Sequence, residues 1–158
     1  MFDALGGGLV VFVLDRGAKA AAFAREGAQR PRRRAPGALF AIEPVRNRAP
    51  WAWRGGSPTA WISAFAAALA AGWAAVALGV LEHPLARVGL AAALGGALGN
   101  LYDRLRHGAV QDYVRCSFAV RGRRFASTFN LADVAIVAGL LCVAISCVVE
   151  SPAAVTRD

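Results

Sequence analysis

The chain has 158 residues, a formal net charge of +8 and 57 % hydrophobic residues, with a mean hydropathy of +0.46 and a pI near 10.9. That length suits one domain, and so much apolar side chain excludes a disordered chain and exceeds what an ordinary soluble domain carries. The basic balance alone would suggest nucleic acid, but Lys19 is the only lysine among 18 basic residues and the arginines gather in two stretches separated by long apolar runs. That pattern belongs to an integral membrane protein with basic loops and argues against a nucleic-acid partner.

A bilayer span needs about 20 apolar residues. The first candidate runs over about 4–23 and is interrupted by Asp15, Arg16 and Lys19. Its front carries Asp3 and no basic residue, the wrong polarity for a cleaved signal peptide, so it reads as a retained helix. Asp15 and Lys19 are spaced i, i+4 and share a helix face. Two readings fit them: an internal ion pair with Lys19 reaching outward, or an inward Asp15 that organises a site.

The stretch 24–60 is a long outer loop with eight arginines and the prolines Pro31, Pro36, Pro44, Pro50 and Pro58. Within it, Ala38–Ile42 has the composition of a strand. The second span, about 61–81, is free of charge, with Trp51, Trp53 and Trp61 near its start, where an interfacial aromatic belt would lie. A short turn through Glu82, His83 and Pro84 leads to the third span, about 85–101, whose Gly95 and Gly99 form a G-x-x-x-G packing face.

The third span ends in Gly99-Asn100-Leu101-Tyr102-Asp103-Arg104. Asn100, Asp103 and Arg104 fall on one helix face, either as a polar cap with an Asp–Arg pair or as part of a site. The second outer loop, 102–130, carries six arginines and strand-like Tyr113-Val114 and Phe118-Ala119-Val120. Its Val110-Gln111-Asp112-Tyr113-Val114 sets Asp112 among apolar neighbours, where it is either solvated or functional. The fourth span, about 131–149, opens with Phe129-Asn130-Leu131-Ala132-Asp133. Asn130 suits the N-cap and Asp133 the third helical position, where the helix dipole favours a carboxylate.

Ionisable groups at membrane depth cost about 2.5–3.5 kcal/mol each on insertion scales, yet Asp15, Asp103, Asp112 and Asp133 all fall on the same membrane face. Two carboxylates sharing a site can divide acid and base roles on a water molecule. No serine, cysteine or metal-ligand arrangement competes: Cys116, Cys142 and Cys147 lack metal spacing, and His83 and His107 lack partners. The expected fold is therefore an all-α membrane protein of four transmembrane helices with a small β-rich layer at one membrane face.

The three motifs around Asn100–Arg104, Asp112 and Asn130–Asp133 closely resemble those of signal peptidase II, the bacterial prolipoprotein signal peptidase and an aspartyl protease of the inner membrane. The resemblance covers nearly the whole chain. It implies a catalytic pair of Asp112 and Asp133, with Asn100, Asp103, Arg104, Asn130 and Ala132 in support. Asp15 and Lys19 resemble the family's first-helix motif, and Val45-Arg46-Asn47 its outer-loop asparagine motif. It further implies cleavage just before a diacylglyceryl-modified Cys, lipid-modified prolipoproteins and membrane lipids as partners, a monomer, no cofactor and no metal. The alternatives are a non-catalytic homologue that binds lipoprotein precursors and a small proton-coupled transporter or scaffold. The chain departs from the family pattern at Arg16, where a glutamine is usual, at Ala18, where a threonine is usual, and at Ala49-Pro50. By resemblance the basic loops face the periplasm, whereas the excess of arginine in them would place them in the cytoplasm by the positive-inside rule. Lipid headgroups of negative charge are natural partners for those arginines.

Overall fold

The computed structural model describes residues 4–24, 39–48, 58–121 and 123–150. In chain order the elements are α1 (Ala4–Ala24), β1 (Phe40–Asn47), α2 (Pro58–Ala77), α3 (Pro84–His107), β2 (Val110–Val120), β3 (Arg123–Phe129) and α4 (Leu131–Glu150). Trp51, Trp53, Ala38, Ala49 and Pro50 lie outside the described residues. Four long helices thus accompany a small antiparallel sheet, and the helix-rich part agrees with the sequence reading.

Each helix begins or ends where the local chemistry dictates. Pro58 and Pro84 stand at first helical positions, where the missing N–H costs no hydrogen bond. His83 caps α3, its Nδ1 accepting from Leu85 N at 3.1 Å. Gly108, at φ 65°, ends α3 by donating to the Arg104 carbonyl at 3.0 Å, the left-handed closure that glycine adopts without strain. The helix therefore runs six residues past the apolar stretch that ends at Leu101, and Tyr102–His107 are helical rather than loop. Asn130 caps α4.

α3 is the hub, packed against all three other helices. Its glycines allow this. A Cβ on Gly95 would overlap the backbone of Gly8 in α1, and one on Gly96 would sit 2.5 Å from the Ala132 carbonyl in α4. Leu69 and Val76 of α2 complete an apolar core with Ala91, Leu94, Ala97 and Leu101. The outward faces are apolar too: Leu9, Val13 and Leu14 on α1 and Leu140, Leu141 and Val148 on α4 are exposed. Among the described residues one helix, Leu131–Val149, is long and apolar enough to cross a membrane by length and composition, and Ile62–Ala77 is a shorter apolar helix. α1 carries three charges near its middle, and α3 combines Arg87 with many glycines and a polar end.

The sheet has the order β1-β2-β3, antiparallel throughout. β1 pairs with β2 from Phe40↔Cys116 to Asn47↔Val110, with an irregularity between Ile42 and Val45. Pro44 sits there and has no N–H to give to a ladder. β2 and β3 form a hairpin from Val114↔Phe129 to Val120↔Arg123. Of the strand-like segment Ala38–Ile42, Phe40–Ile42 fall in β1 and Leu39 lies just before it, while 113–114 and 118–120 fall in β2. β3, whose sequence RRFASTF is half polar, is set by its pairing with β2 and was not visible as a separate strand.

Candidate active site

The site forms where the C-terminal end of α3, the start of β2, the end of β1 and the first turn of α4 meet α1. Its centre is Asn130. The Asn130 side-chain amide donates to Asp112 Oδ1 at 2.8 Å and lies 3.2 Å from Asn100 Oδ1. Its backbone N–H donates to Asp133 Oδ2 at 3.1 Å, and its Oδ1 accepts from Asp133 N at 2.9 Å. The helix cap expected from spacing is thus present, and the same residue also ties the two aspartates together.

Asp112 is 2 % exposed, so the solvated reading of this residue does not hold. Beyond Asn130, its Oδ2 accepts from Asn47 Nδ2 at 3.0 Å and Thr128 Oγ1 at 3.4 Å. β1 brings Asn47 here because Val45 pairs with Asp112 across the ladder. Burial pushes the Asp112 carboxyl above the ordinary carboxylate range, its hydrogen bonds from Asn47, Asn130 and Thr128 pull it back in part, and the neighbouring Asp133 charge pushes the same way as burial. Asp133 Oδ1 accepts from Asn100 Nδ2 at 2.8 Å. Tyr113, also raised by burial, accepts from Leu131 N at 3.2 Å.

A second layer of charge backs this pair. Lys19 is fully buried, not reaching outward. Its ammonium meets Asp15 Oδ2 and Asp103 Oδ2 at 2.8 Å each and Asn100 Oδ1 at 3.0 Å, so all three donors find acceptors. Asp15 turns its other oxygen to Ala132 N at 3.1 Å, joining α1 to the first turn of α4. Asp15 thus keeps the ion pair of the first reading, without the outward Lys19, and points inward as in the second. The main-chain donors that open α4 are accordingly met by Tyr113 of β2, Asp15 of α1 and the cap residue Asn130, which answers the usual deficit at a helix start.

Asp103 is fully buried. It pairs with Lys19 and Arg16, the latter at 2.5 Å, and accepts from Gln111 N at 3.1 Å. These ion pairs join α3 to α1. Arg104 donates to the Asn100 carbonyl at 3.2 Å and lies over the Phe65 ring at 5.7 Å. Every residue singled out from the sequence falls in this constellation: Asp15, Lys19, Asn47, Asn100, Asp103, Arg104, Asp112, Asn130, Ala132 and Asp133. Sequence reasoning missed Thr128, Tyr113 and Arg16. Thr128 and Tyr113 give no local signal, because sheet register and the approach of α4 bring them in. Arg16 was visible only as a departure from a family pattern.

Chemically, the arrangement offers two linked carboxylates, one held above its ordinary range, surrounded by amide donors and backed by buried charge.

Comparison with known proteins bears on the family and the fold. The family model for signal peptidase (SPase) II matches residues 8–149. The lipoprotein signal peptidase of Nitrobacter hamburgensis is 44 % identical over 71 residues, covering 44 % of this chain and 43 % of that protein. That of Moorella thermoacetica is 50 % identical over 60 residues, 38 % of this chain and 35 % of that one. That of Yersinia pestis is 61 % identical over 46 residues, 29 % and 25 % respectively. The matched stretches thus span less than half the length of these relatives. Among solved structures, a bacterial membrane enzyme determined by the in meso method at 2.3 Å superposes with a TM-score of 0.72 at 19 % identity, covering 97 % of this chain and 94 % of that one. A second such enzyme, at 1.9 Å, gives 0.71 at 20 % identity over 92 % and 95 %. The fold is shared.

Proposed function

The chain belongs to the signal peptidase II family, and from that premise we propose that it is a membrane aspartyl endopeptidase that removes the signal peptide from diacylglyceryl-modified prolipoproteins, cutting just before the lipidated Cys. The observation that carries this reading is the linkage of Asp112 and Asp133 through Asn130, with Asp112 buried and raised. Like charges this close resist joint ionisation, so the pair holds one proton. The raised Asp112 is the natural keeper of that proton.

In the forward reaction Asp112 donates a hydrogen bond to the scissile carbonyl and Asp133 takes a proton from water. The resulting hydroxide adds to the carbonyl carbon, giving a tetrahedral intermediate. Proton transfer to the amide nitrogen then lets the C–N bond break, and the products leave as a carboxylic acid and an amine. Asn100 and Asn130 hold the two carboxyl groups in register, with Asp103, Arg104, Lys19 and Ala132 supporting them. Asp15 and Asn47 line the centre from α1 and β1.

The four helices cross a bacterial inner membrane near the expected spans, about 4–23, 61–81, 85–101 and 131–149, although α2 ends at Ala77 and α3 runs on to His107, and the sheet and the centre face the periplasm. Support comes from the exposed apolar faces of α1 and α4, which fit hydrocarbon better than water. The signal helix and lipid chains of the substrate enter from the bilayer, and the enzyme acts as a monomer.

Asp112→Asn and Asp133→Asn tested separately on a lipidated precursor provide the experiment. Each abolishes cleavage while the protein still inserts. Cleavage at the wild-type rate by either variant overturns the reading.

A further inference from the structure

Arg16 occupies a position where the sequence pattern leads one to expect a neutral glutamine, and the structure gives it more to do than a neutral side chain allows. Its Nη1 meets Asp103 Oδ1 at 2.5 Å, with the Arg16 side chain 20 % and the Asp103 side chain 0 % exposed. Its guanidinium also lies over the Tyr102 ring, 4.8 Å from the centroid. Phe12 in turn packs edge-on against that ring at 6.2 Å. The arginine is therefore clamped between α1 and α3 by a ring and a buried carboxylate together. A planar guanidinium is the cation suited to that double contact.

Two consequences follow from what Asp103 and Lys19 touch. Asp103 Oδ2 takes both Lys19 and the backbone N–H of Gln111, the residue directly before Asp112. Lys19 in turn touches Asp15 and Asn100, and Asn100 holds Asp133. Without Arg16, the buried group of Asp15, Lys19 and Asp103 carries one charge too many of negative sign. With it, two cations face two anions.

We propose that Arg16 is a positioning residue for the Asp112–Asp133 pair: it closes a neutral four-charge cluster with Asp15, Lys19 and Asp103, and through Asp103 it pins the Gln111 backbone beside Asp112. This rests on the proposed catalytic reading for its effect on rate, but its electrostatic part does not. The charged groups that surround the pair are Asp15, Arg16 and Lys19 from α1, Asp103 and Arg104 from α3, and Tyr113 from β2. Removing Arg16 changes the net charge of the cluster without taking away a direct contact to Asp112 or Asp133.

The test compares Arg16→Gln, Arg16→Lys and the double variant Arg16→Gln with Asp103→Asn, all in the full-length protein in bilayer nanodiscs. Infrared difference titration follows the protonated-carboxyl band that Asp112→Asn removes, and cleavage of a lipidated precursor is measured on the same samples. In Arg16→Gln the band persists to higher pH by about half a unit to one unit, the size of an uncompensated charge at this range. Its kcat falls about tenfold with KM within about twofold, as for a group acting only on the reacting geometry. Arg16→Lys restores the titration midpoint. The double variant restores it too, because removing one negative charge re-neutralises the cluster. A midpoint in Arg16→Gln equal to wild type overturns the proposal, as does a shifted midpoint that the double variant leaves unmoved. The infrared titration reads the cluster whether or not the precursor is cut, so failure of the catalytic reading alone shows as an intact titration result without cleavage.

Discussion

Asn130 and Asp133 hold each other reciprocally across the first turn of α4, the Asn130 N–H donating to Asp133 Oδ2 at 3.1 Å and the Asp133 N–H to Asn130 Oδ1 at 2.9 Å. This is a helix cap in which the capping partner is one of the two carboxylates proposed to react. Stability of the helix start and position of the Asp133 carboxylate are thus set by the same pair of bonds.

Substitutions at Asn130 separate those two roles. Asn130→Asp keeps an oxygen to cap α4 but replaces the amide donor facing Asp112 Oδ1 with a second acceptor. It should leave thermal stability within about 1 kcal/mol of wild type and lower kcat by about a hundredfold or more. Asn130→Ala loses both functions, and its helix start costs about 1–2 kcal/mol besides. Thermal melts and precursor cleavage on both variants check this, and an active Asn130→Asp contradicts it.

Asp112 gives a pH dependence of defined sign. Burial and the Asp133 charge raise its carboxyl above the ordinary value, so over an interval of pH the folded chain holds a proton that the unfolded chain has released. Its contribution to stability is then fullest below the unfolded value and falls as pH rises through the folded one. Asp112→Asn removes that loss. The variant should melt about 2–4 °C above wild type near neutral pH, with the gap closing on acidification below the unfolded value. Cleavage by wild type should fall at high pH as the shared proton leaves. An Asp112→Asn protein that melts below wild type at neutral pH refutes the assignment.

Lys19 offers a test of the buried cluster. Its ammonium is the common partner of Asp15 and Asp103, both fully buried. Lys19→Met strands Asp15 and leaves Asp103 to Arg16, and should destabilise by about 3–5 kcal/mol. Adding Asp15→Asn should recover part of the loss, because one stranded charge disappears. Chemical unfolding of the three proteins measures this, and additive losses rule it out.

Gly95 probes the helix approach. A Cβ there overlaps the Gly8 backbone, so Gly95→Ala should cost about 1–3 kcal/mol by overpacking and Gly95→Leu should part α1 from α3. Because α1 carries Asp15 to Ala132 N, cleavage should fall along with stability. A fully active Gly95→Leu protein rejects the close approach.

The sequence was most legible where spacing alone fixes geometry. Asn130 and Asp133 stand three apart at a helix start, and the cap follows from helix dimensions. Asp15 and Lys19 stand four apart, and their ion pair follows likewise. What spacing does not fix is rotation about a helix axis. Whether Lys19 points inward depends on how α1 lies on α3, which the glycine contacts decide, and the alternative of an outward lysine is local and equally allowed. Asp15 meets Ala132 across 117 positions of chain, a distance no periodicity spans. Asn47 and Thr128 reach Asp112 only through sheet register, and Pro44 breaks that register in the middle of β1. Asn47 was nameable because a family pattern pointed at it, whereas Thr128 had no such pointer. Arg16 looked like a departure from pattern, and only its contact with Asp103 shows what it does.

The bond from Asp15 to Ala132 also sets a timetable. A chain made from its N-terminus exposes α1 to the membrane long before α4 exists, and until α4 arrives neither Asp133 nor the amide of Asn130 is there to meet Asp112. On the proposed catalytic reading, half-made or half-inserted molecules therefore contain no competent pair, and peptide-bond cleavage switches on only with the last helix in place. For a protease born into the same membrane as every other nascent protein, assembly itself serves as the safety catch.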